Sequence, residues 1–235
     1  MSQYVPLAIA PVLICAFYMY IRDKYEKEPY RLLLLGLFFG AVITAPIVEL
    51  EALVASWMPP LDARWEAAYV SFCVASLVEE GLKLAVLALL MWRERHFNEP
   101  FDGIVYAVFI SLGFAGVENV LYVVNPALGG LQTALSRAVY SVPAHGFFGV
   151  AMGYYLALAR FKPLARGKHL RRAFTVPFLL HGVFDFILLA ELPHFMVLFV
   201  PFVLLLWYGG FRKMKRHLAA SPFRVGARRP PLRNH

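Results

Sequence analysis

The sequence predicts an all-α, polytopic transmembrane helical bundle of about seven spans, with its N-terminus outside and its C-terminus cytoplasmic. Three observations predict it. Of the 235 residues, 60% are hydrophobic and 16% charged, with a mean hydropathy of +0.61, too apolar for a soluble domain to cover with polar surface. Seven apolar stretches, at roughly 4–21, 32–55, 67–92, 102–124, 136–160, 173–192 and 195–211, approach the 20 or so helical residues that cross a bilayer. Finally, 20 of the 23 Lys and Arg flank alternate ends of these stretches on one side, which the positive-inside rule assigns to the cytoplasm.

The first span lacks the basic leader and small-residue cleavage site of a removable signal peptide, so it is expected to remain as an anchor. The second contains Pro46 and ends near Glu49 and Glu51, which are placed to reach the outer interface. The third carries Glu79, Glu80 and Lys83. The fourth opens at Asp102-Gly103, where an Asp side chain caps free backbone N–H groups, and holds Phe114, Glu118, Asn119 and Tyr122. The fifth contains Pro143 and His145, and its Gly149 and Gly153 form a small-xxx-small pattern that lets a second helix pack closely. The sixth carries Pro177, His181 and Asp185, and the seventh Pro201. Proline at these depths can kink a helix and help to open a cavity. Cys15 and Cys73 have no metal-type spacing and read as packing residues.

The connections are too short for a second folded unit. A membrane-embedded domain is therefore expected over 1–211, with a basic cytoplasmic tail over 212–235. The net charge of +8 sits at span ends, which argues against nucleic acid as a partner. It argues for the lipid bilayer, with anionic head groups at the basic tail as an added partner worth about 1 kcal/mol per Lys or Arg.

A charge at mid-bilayer costs about 2.5–3.5 kcal/mol on insertion scales, so ionisable residues there mark a pathway, a cavity or a site. At 3.6 residues per turn, Lys83 lies one turn beyond Glu79 and Glu80 and can pair with either, and His181 shares a face with Asp185. Counted at about 1.5 Å per residue from the outer ends, Glu79 and Glu80 lie about 18–20 Å deep, His181 about 16 Å, His145 about 14 Å, Asp185 about 10 Å and Glu118 about 9 Å. Four helices thus present polar faces at similar depth. Satisfied intrahelical pairs account for Glu79 with Lys83 and for His181 with Asp185, but not for the whole set: four carboxylates face one lysine. Like charges in low dielectric cannot all remain ionised, so either protons or a bound cation must supply the difference. A carboxyl group that shuttles a proton serves general base catalysis, and a metal acidifies water directly. A proton- or ion-coupled transporter would use the same groups as a relay, although the chain shows no internal repeat of the transporter kind.

The ordered runs Glu79-Glu80-Gly81-Leu82-Lys83, Phe114 to Glu118 and His181-Gly182-Val183-Phe184-Asp185 resemble the EExxK, FxxxE and HxxxD motifs of the PrsW intramembrane proteases. Asp102 to Tyr106 and His145-Gly146 are similar to that family as well, and the likeness spans about residues 20–190. The resemblance implies an intramembrane endopeptidase in a bacterial inner membrane. Its implied substrate is a single-span membrane protein such as an anti-sigma factor, cut on the outer side to start a stress response.

By similarity to the distantly related CAAX prenyl endopeptidases, Glu79 or Glu80 would be the general base, with Glu79 preferred. Glu118 would orient the water and His181 would donate to the oxyanion. Asp185 stands where those relatives carry Asn, and so either holds a proton or orients His181. Lys83 would hold a glutamate in register, with His145 and Asn119 in support. The metal-free reading is preferred because His145 and His181 lack the HExxH spacing. Zinc held by Glu79, Glu80, Glu118, His145 and His181 is the alternative.

Overall fold

In lipid, backbone N–H and C=O groups must be satisfied within the chain, which favours helices. In the computed structural model, which describes residues 4–190 and 193–224, every regular element is helical. Helices α1 (Val5–Arg22), α2 (Tyr30–Val42) and α3 (Thr44–Ser56) are followed by α4 (Ala63–Tyr69), a π-helical stretch (Val70–Ser76) and α5 (Leu77–Met91). Then come α6 (Pro100–Val124), α7 (Leu131–Val139), α8 (Ser141–Phe161), α9 (Arg166–Leu189) and α10 (Pro193–Ala219).

Among the described residues, six helical stretches are long and apolar enough to cross a membrane. The seventh long stretch, from α4 through the π turn to α5, carries Glu79, Glu80 and Lys83. Two spans are each broken into a pair of helices. Proline lacks the N–H that would bond four residues back, and the breaks fall at Ile43, between α2 and α3 ahead of Pro46, and at Tyr140, between α7 and α8 ahead of Pro143. The last two spans outrun their apolar cores. Helix α9 starts at Arg166 and α10 continues to Ala219, because Lys and Arg are good helix formers whose stems cover apolar surface while their charges reach out. Of the predicted tail, Arg228, Arg229 and Arg233 lie outside the described residues.

Helix α6 is the axis of the bundle, with every residue from Phe101 to Ala115 buried. Glycines let its neighbours close on it. A Cβ on Gly153 of α8 would meet the carbonyl oxygen of Gly103 at 2.0 Å, and one on Gly40 of α2 would meet that of Ile110 at 2.0 Å. The small-xxx-small pattern therefore serves packing within the chain. Helix α6 starts at Pro100 with Glu99 at its N-cap, so Asp102 is the third helical residue and not the cap expected there; it accepts from the backbone N–H of Glu99 at 2.7 Å and of Asn98 at 2.9 Å as one half of a capping box.

Candidate active site

The π stretch immediately precedes Glu79 and Glu80, and its wide turn re-aims the residues that follow, as π bulges often do near functional groups. It is pinned to α9 by Ser76 Oγ, which donates to the Phe178 carbonyl at 2.5 Å. From α5, Lys83 Nζ donates to Glu79 Oε2 at 2.7 Å and to Glu80 Oε1 at 2.9 Å. The ammonium also lies 3.4 Å from His145 Nδ1 and 3.9 Å above the Phe114 ring, a cation–π contact that holds a desolvated charge. Lys83 and Glu80 are fully buried and Glu79 is 3% exposed.

Helix α9 brings His181 to the other side of the glutamates. Its Nδ1 lies 3.1 Å from Glu80 Oε1 and 3.8 Å from Glu79 Oε2, and its Nε2 lies 3.1 Å from Asp185 Oδ2. The ring stacks on Phe148 at a centroid distance of 4.9 Å and meets His145 edge-on at 5.2 Å. His145 Nε2 is 3.0 Å from Glu118 Oε2. Each imidazole thus has its outer nitrogen on a carboxylate and its Nδ1 turned towards the groups of α5.

The residues predicted from four spans therefore meet in space. Asn119 faces another way: it donates to the Ala8 carbonyl at 2.7 Å and accepts from Arg137 Nε at 2.9 Å, tying α6 to α1 and α7. A cavity of about 420 Å³ opens beside the cluster, with Glu79, Glu118, His145, His181 and Asp185 in its wall. Glu80 lies behind it.

Two groups in that wall escape the sequence reading. Arg137, one of the three Lys and Arg outside the cytoplasmic count, donates to Glu118 Oε2 at 2.7 Å and packs its guanidinium over Tyr122 at 4.0 Å. It adds a second cation to the charge count. Glu51, read as reaching the interface, lines the same cavity. The one available signal for Arg137 was its position within a turn of the fifth span's start.

The donor chemistry also fits a metal. Glu79, Glu80, His145 and His181 each offer an atom within 4.8 Å of the others, and all four are buried. Glu80 Oε2 is buried without a hydrogen-bond partner, and carboxylates on the far imidazole nitrogens are the usual support of metal-bound histidine. Glu118 stands outside this group of four.

The chain matches the family model described as PrsW family intramembrane metalloprotease over residues 28–207. Protease PrsW of Clostridioides difficile (strain 630) is 39% identical over 218 residues, covering 92% of this chain and 91% of that protein. Protease PrsW of Bacillus subtilis (strain 168) is 36% identical over 226 residues, 96% of this chain and 100% of that protein. The corresponding protein of Geobacillus kaustophilus (strain HTA426) is 36% identical over 218 residues, 92% of each. No solved structure matches the chain. Six spanning helices and bacterial relatives mark a multi-pass bacterial membrane protein. With three-quarters of its length inside the family model and relatives of this identity along nearly all of it, the chain belongs to the PrsW family of intramembrane proteases.

Proposed function

We propose that this chain is an endopeptidase that cuts a single-span membrane protein, with an anti-sigma factor as the model substrate, by attack of a water that Glu79 deprotonates. The observation that carries this reading is the unequal setting of the two glutamates. Glu79 is in the cavity wall, and Lys83 fixes one of its oxygens. Glu80 is fully buried, with Oε1 shared between Lys83 and His181.

In the proposed step a water proton passes to Glu79 while the water oxygen bonds to the peptide carbon. His181, held by Asp185 through Nε2, turns its Nδ1 hydrogen from Glu80 to the oxygen that gains the charge. Collapse breaks the C–N bond, and Glu79 returns the proton to the leaving nitrogen. Glu118, anchored by Arg137 and His145, orients the water from the opposite wall.

If zinc binds, Glu79, Glu80, His145 and His181 would hold it, and it would lower the pKa of a coordinated water. Lys83 competes for the same sites, since its ammonium already bridges both glutamates. That competition is why water activation is assigned to glutamate. The cavity is placed towards the outer leaflet because the Lys and Arg concentrate at the opposite end.

The test is cleavage of a single-span substrate in liposomes by the full chain and by Glu79→Gln, Glu80→Gln and His181→Ala, combined with metal analysis and chelation. Inserted but inactive variants, with wild-type cleavage that survives chelation, are the expected result. Wild-type rates in all three variants would reject the protease site. Loss with chelator and recovery with zinc would transfer water activation to the metal.

A further inference from the structure

The opposite end of the bundle holds a second group of buried acids that the proposed reaction does not use. Asp102 precedes Glu118 by sixteen residues on α6, about 24 Å along the helix. Around it, Asp23 closes α1 and Glu99 precedes α6, and all three side chains are 0% exposed. One carboxylate oxygen from each lies within 4.8 Å of the others.

Each acid spends one oxygen on a backbone or hydroxyl donor, and no such donor reaches the other. Asp23 Oδ2 accepts from the Glu28 N–H at 3.0 Å, Asp102 Oδ2 from the N–H groups of Asn98 and Glu99, and Glu99 Oε2 from the Ser221 hydroxyl. Asp23 Oδ1, Asp102 Oδ1 and Glu99 Oε1 are all buried with no N–H or hydroxyl donor upon them, and the Asp102 carboxyl also makes a side-chain hydrogen bond with that of Glu28. A fourth acid, Glu28, is 3% exposed and accepts from the Tyr106 hydroxyl.

The nearby Lys27 and Arg160 spend their hydrogen bonds elsewhere. Lys27 donates to the Tyr20 carbonyl, and Arg160 to the carbonyls of Trp92 and Glu94. Among the described residues, no ion pair involves Asp23, Glu28, Glu99 or Asp102.

Unpaired buried carboxylate oxygens are costly, and an all-oxygen set with no nitrogen or sulfur donor suits a hard divalent ion. We infer that Asp23, Glu99 and Asp102 form a binding site for a hard divalent cation of the Mg²⁺ or Ca²⁺ class, separate from the protease cluster. Such an ion ties together two segments, the α1–α2 turn and the start of α6, and the second of these also holds the end of α10. That end is already latched by Ser221 on Glu99 and by His217 Nδ1, which donates to the Pro100 carbonyl at 2.8 Å.

The probe is Mn²⁺, followed by electron paramagnetic resonance on the purified full-length chain in detergent at pH 7.5, with Mg²⁺ and Ca²⁺ as competitors. The expected result is one saturable Mn²⁺ that both competitors displace. It should be retained by Glu79→Gln/Glu80→Gln and weakened by about tenfold or more in Asp23→Asn/Glu99→Gln, because affinity at such sites follows the charge of the ligands. No saturable binding to wild type overturns the inference, and so does a Mn²⁺ that is lost with the α5 glutamates but kept without Asp23 and Glu99.

Hydrogen exchange on wild-type protein tests the site without any variant. Mn²⁺ should slow exchange at the amides of Glu28, Asn98 and Glu99, and unchanged exchange there at saturating Mn²⁺ also overturns the inference.

Discussion

Arg137 on α7 donates to Glu118 on α6 at 2.7 Å, and the same carboxylate oxygen lies 3.0 Å from His145. Glu118 is therefore the joint between the short helix α7 and the cluster on α5 and α8. Its side chain is 18% exposed and that of Arg137 13%, so most of the pair is out of water.

Removing one partner of a mostly buried pair leaves the other charge uncompensated. Arg137→Ala is expected to destabilise the protein by about 3 kcal/mol, the low end for a buried pair because some water reaches this one. Adding Glu118→Gln should recover part of the loss, since the orphaned charge is then gone. Unfolding in mixed detergent measures both variants. Equal stability of Arg137→Ala and wild type would mean that the contact contributes nothing.

The two glutamates should fail differently. Glu79→Gln keeps the shape of the side chain but cannot take a proton, so cleavage should fall by about 10²–10⁴-fold, well beyond what the weakened Lys83 contact costs in unfolding. Glu80→Gln removes charge where Lys83 and His181 both depend on it. There a loss of about 1.5–3 kcal/mol is expected in stability, the worth of a hydrogen bond to a charged group. Cleavage and unfolding assays run side by side distinguish the two, and the reverse pattern would make Glu80 the base.

These contrasts show what was legible before the fold was known. Glu79, Glu80 and Lys83, like His181 and Asp185, are related by helical spacing alone, so their pairing can be read from the sequence. The meeting of α5, α6, α8 and α9 followed from matching depth in a bilayer. Arg137 was hidden because its partners lie eighteen and nineteen residues away on another helix, and charge counting treats it as a topology signal. The Asp23, Glu99 and Asp102 group was hidden in the same way. Only Asp102 shows a local role, in capping a helix, and the two others look like ordinary acids in a basic loop.

Asp185 tests how much His181 depends on its outer nitrogen. Asp185→Asn retains a carbonyl oxygen for the Nε2 hydrogen but loses the charge. Cleavage is expected to drop about tenfold, the kinetic equivalent of one weakened charge-assisted bond. Asp185→Leu removes the acceptor and should cost more. Full activity in Asp185→Leu would show that the ring is held by Phe148 and Glu80 alone.

The crossing of α2 and α6 predicts a graded glycine series on one molecule. A Cβ on Gly113 would fall 2.1 Å from the Leu37 carbonyl oxygen, a backbone atom that cannot move aside unless the whole helix shifts. Gly113→Ala should therefore cost at least about 1–3 kcal/mol, as overpacking does. It should also lower activity beyond its effect on folding, because α2 leads into α3, which carries Glu51 to the cavity. On the same interface, a Cβ on Gly36 would meet the Phe109 Cβ at 3.3 Å, a contact relieved by a small shift, so Gly36→Ala should be mild. Gly146 on α8 has nothing within 4 Å of the added carbon. Gly146→Ala should be neutral or should stabilise by about 0.5–1 kcal/mol through helix propensity. Unfolding midpoints measured in one detergent give the order Gly146→Ala, Gly36→Ala, Gly113→Ala from most to least stable. A Gly113→Ala protein as stable and active as wild type would show that α2 does not need to approach α6 this closely.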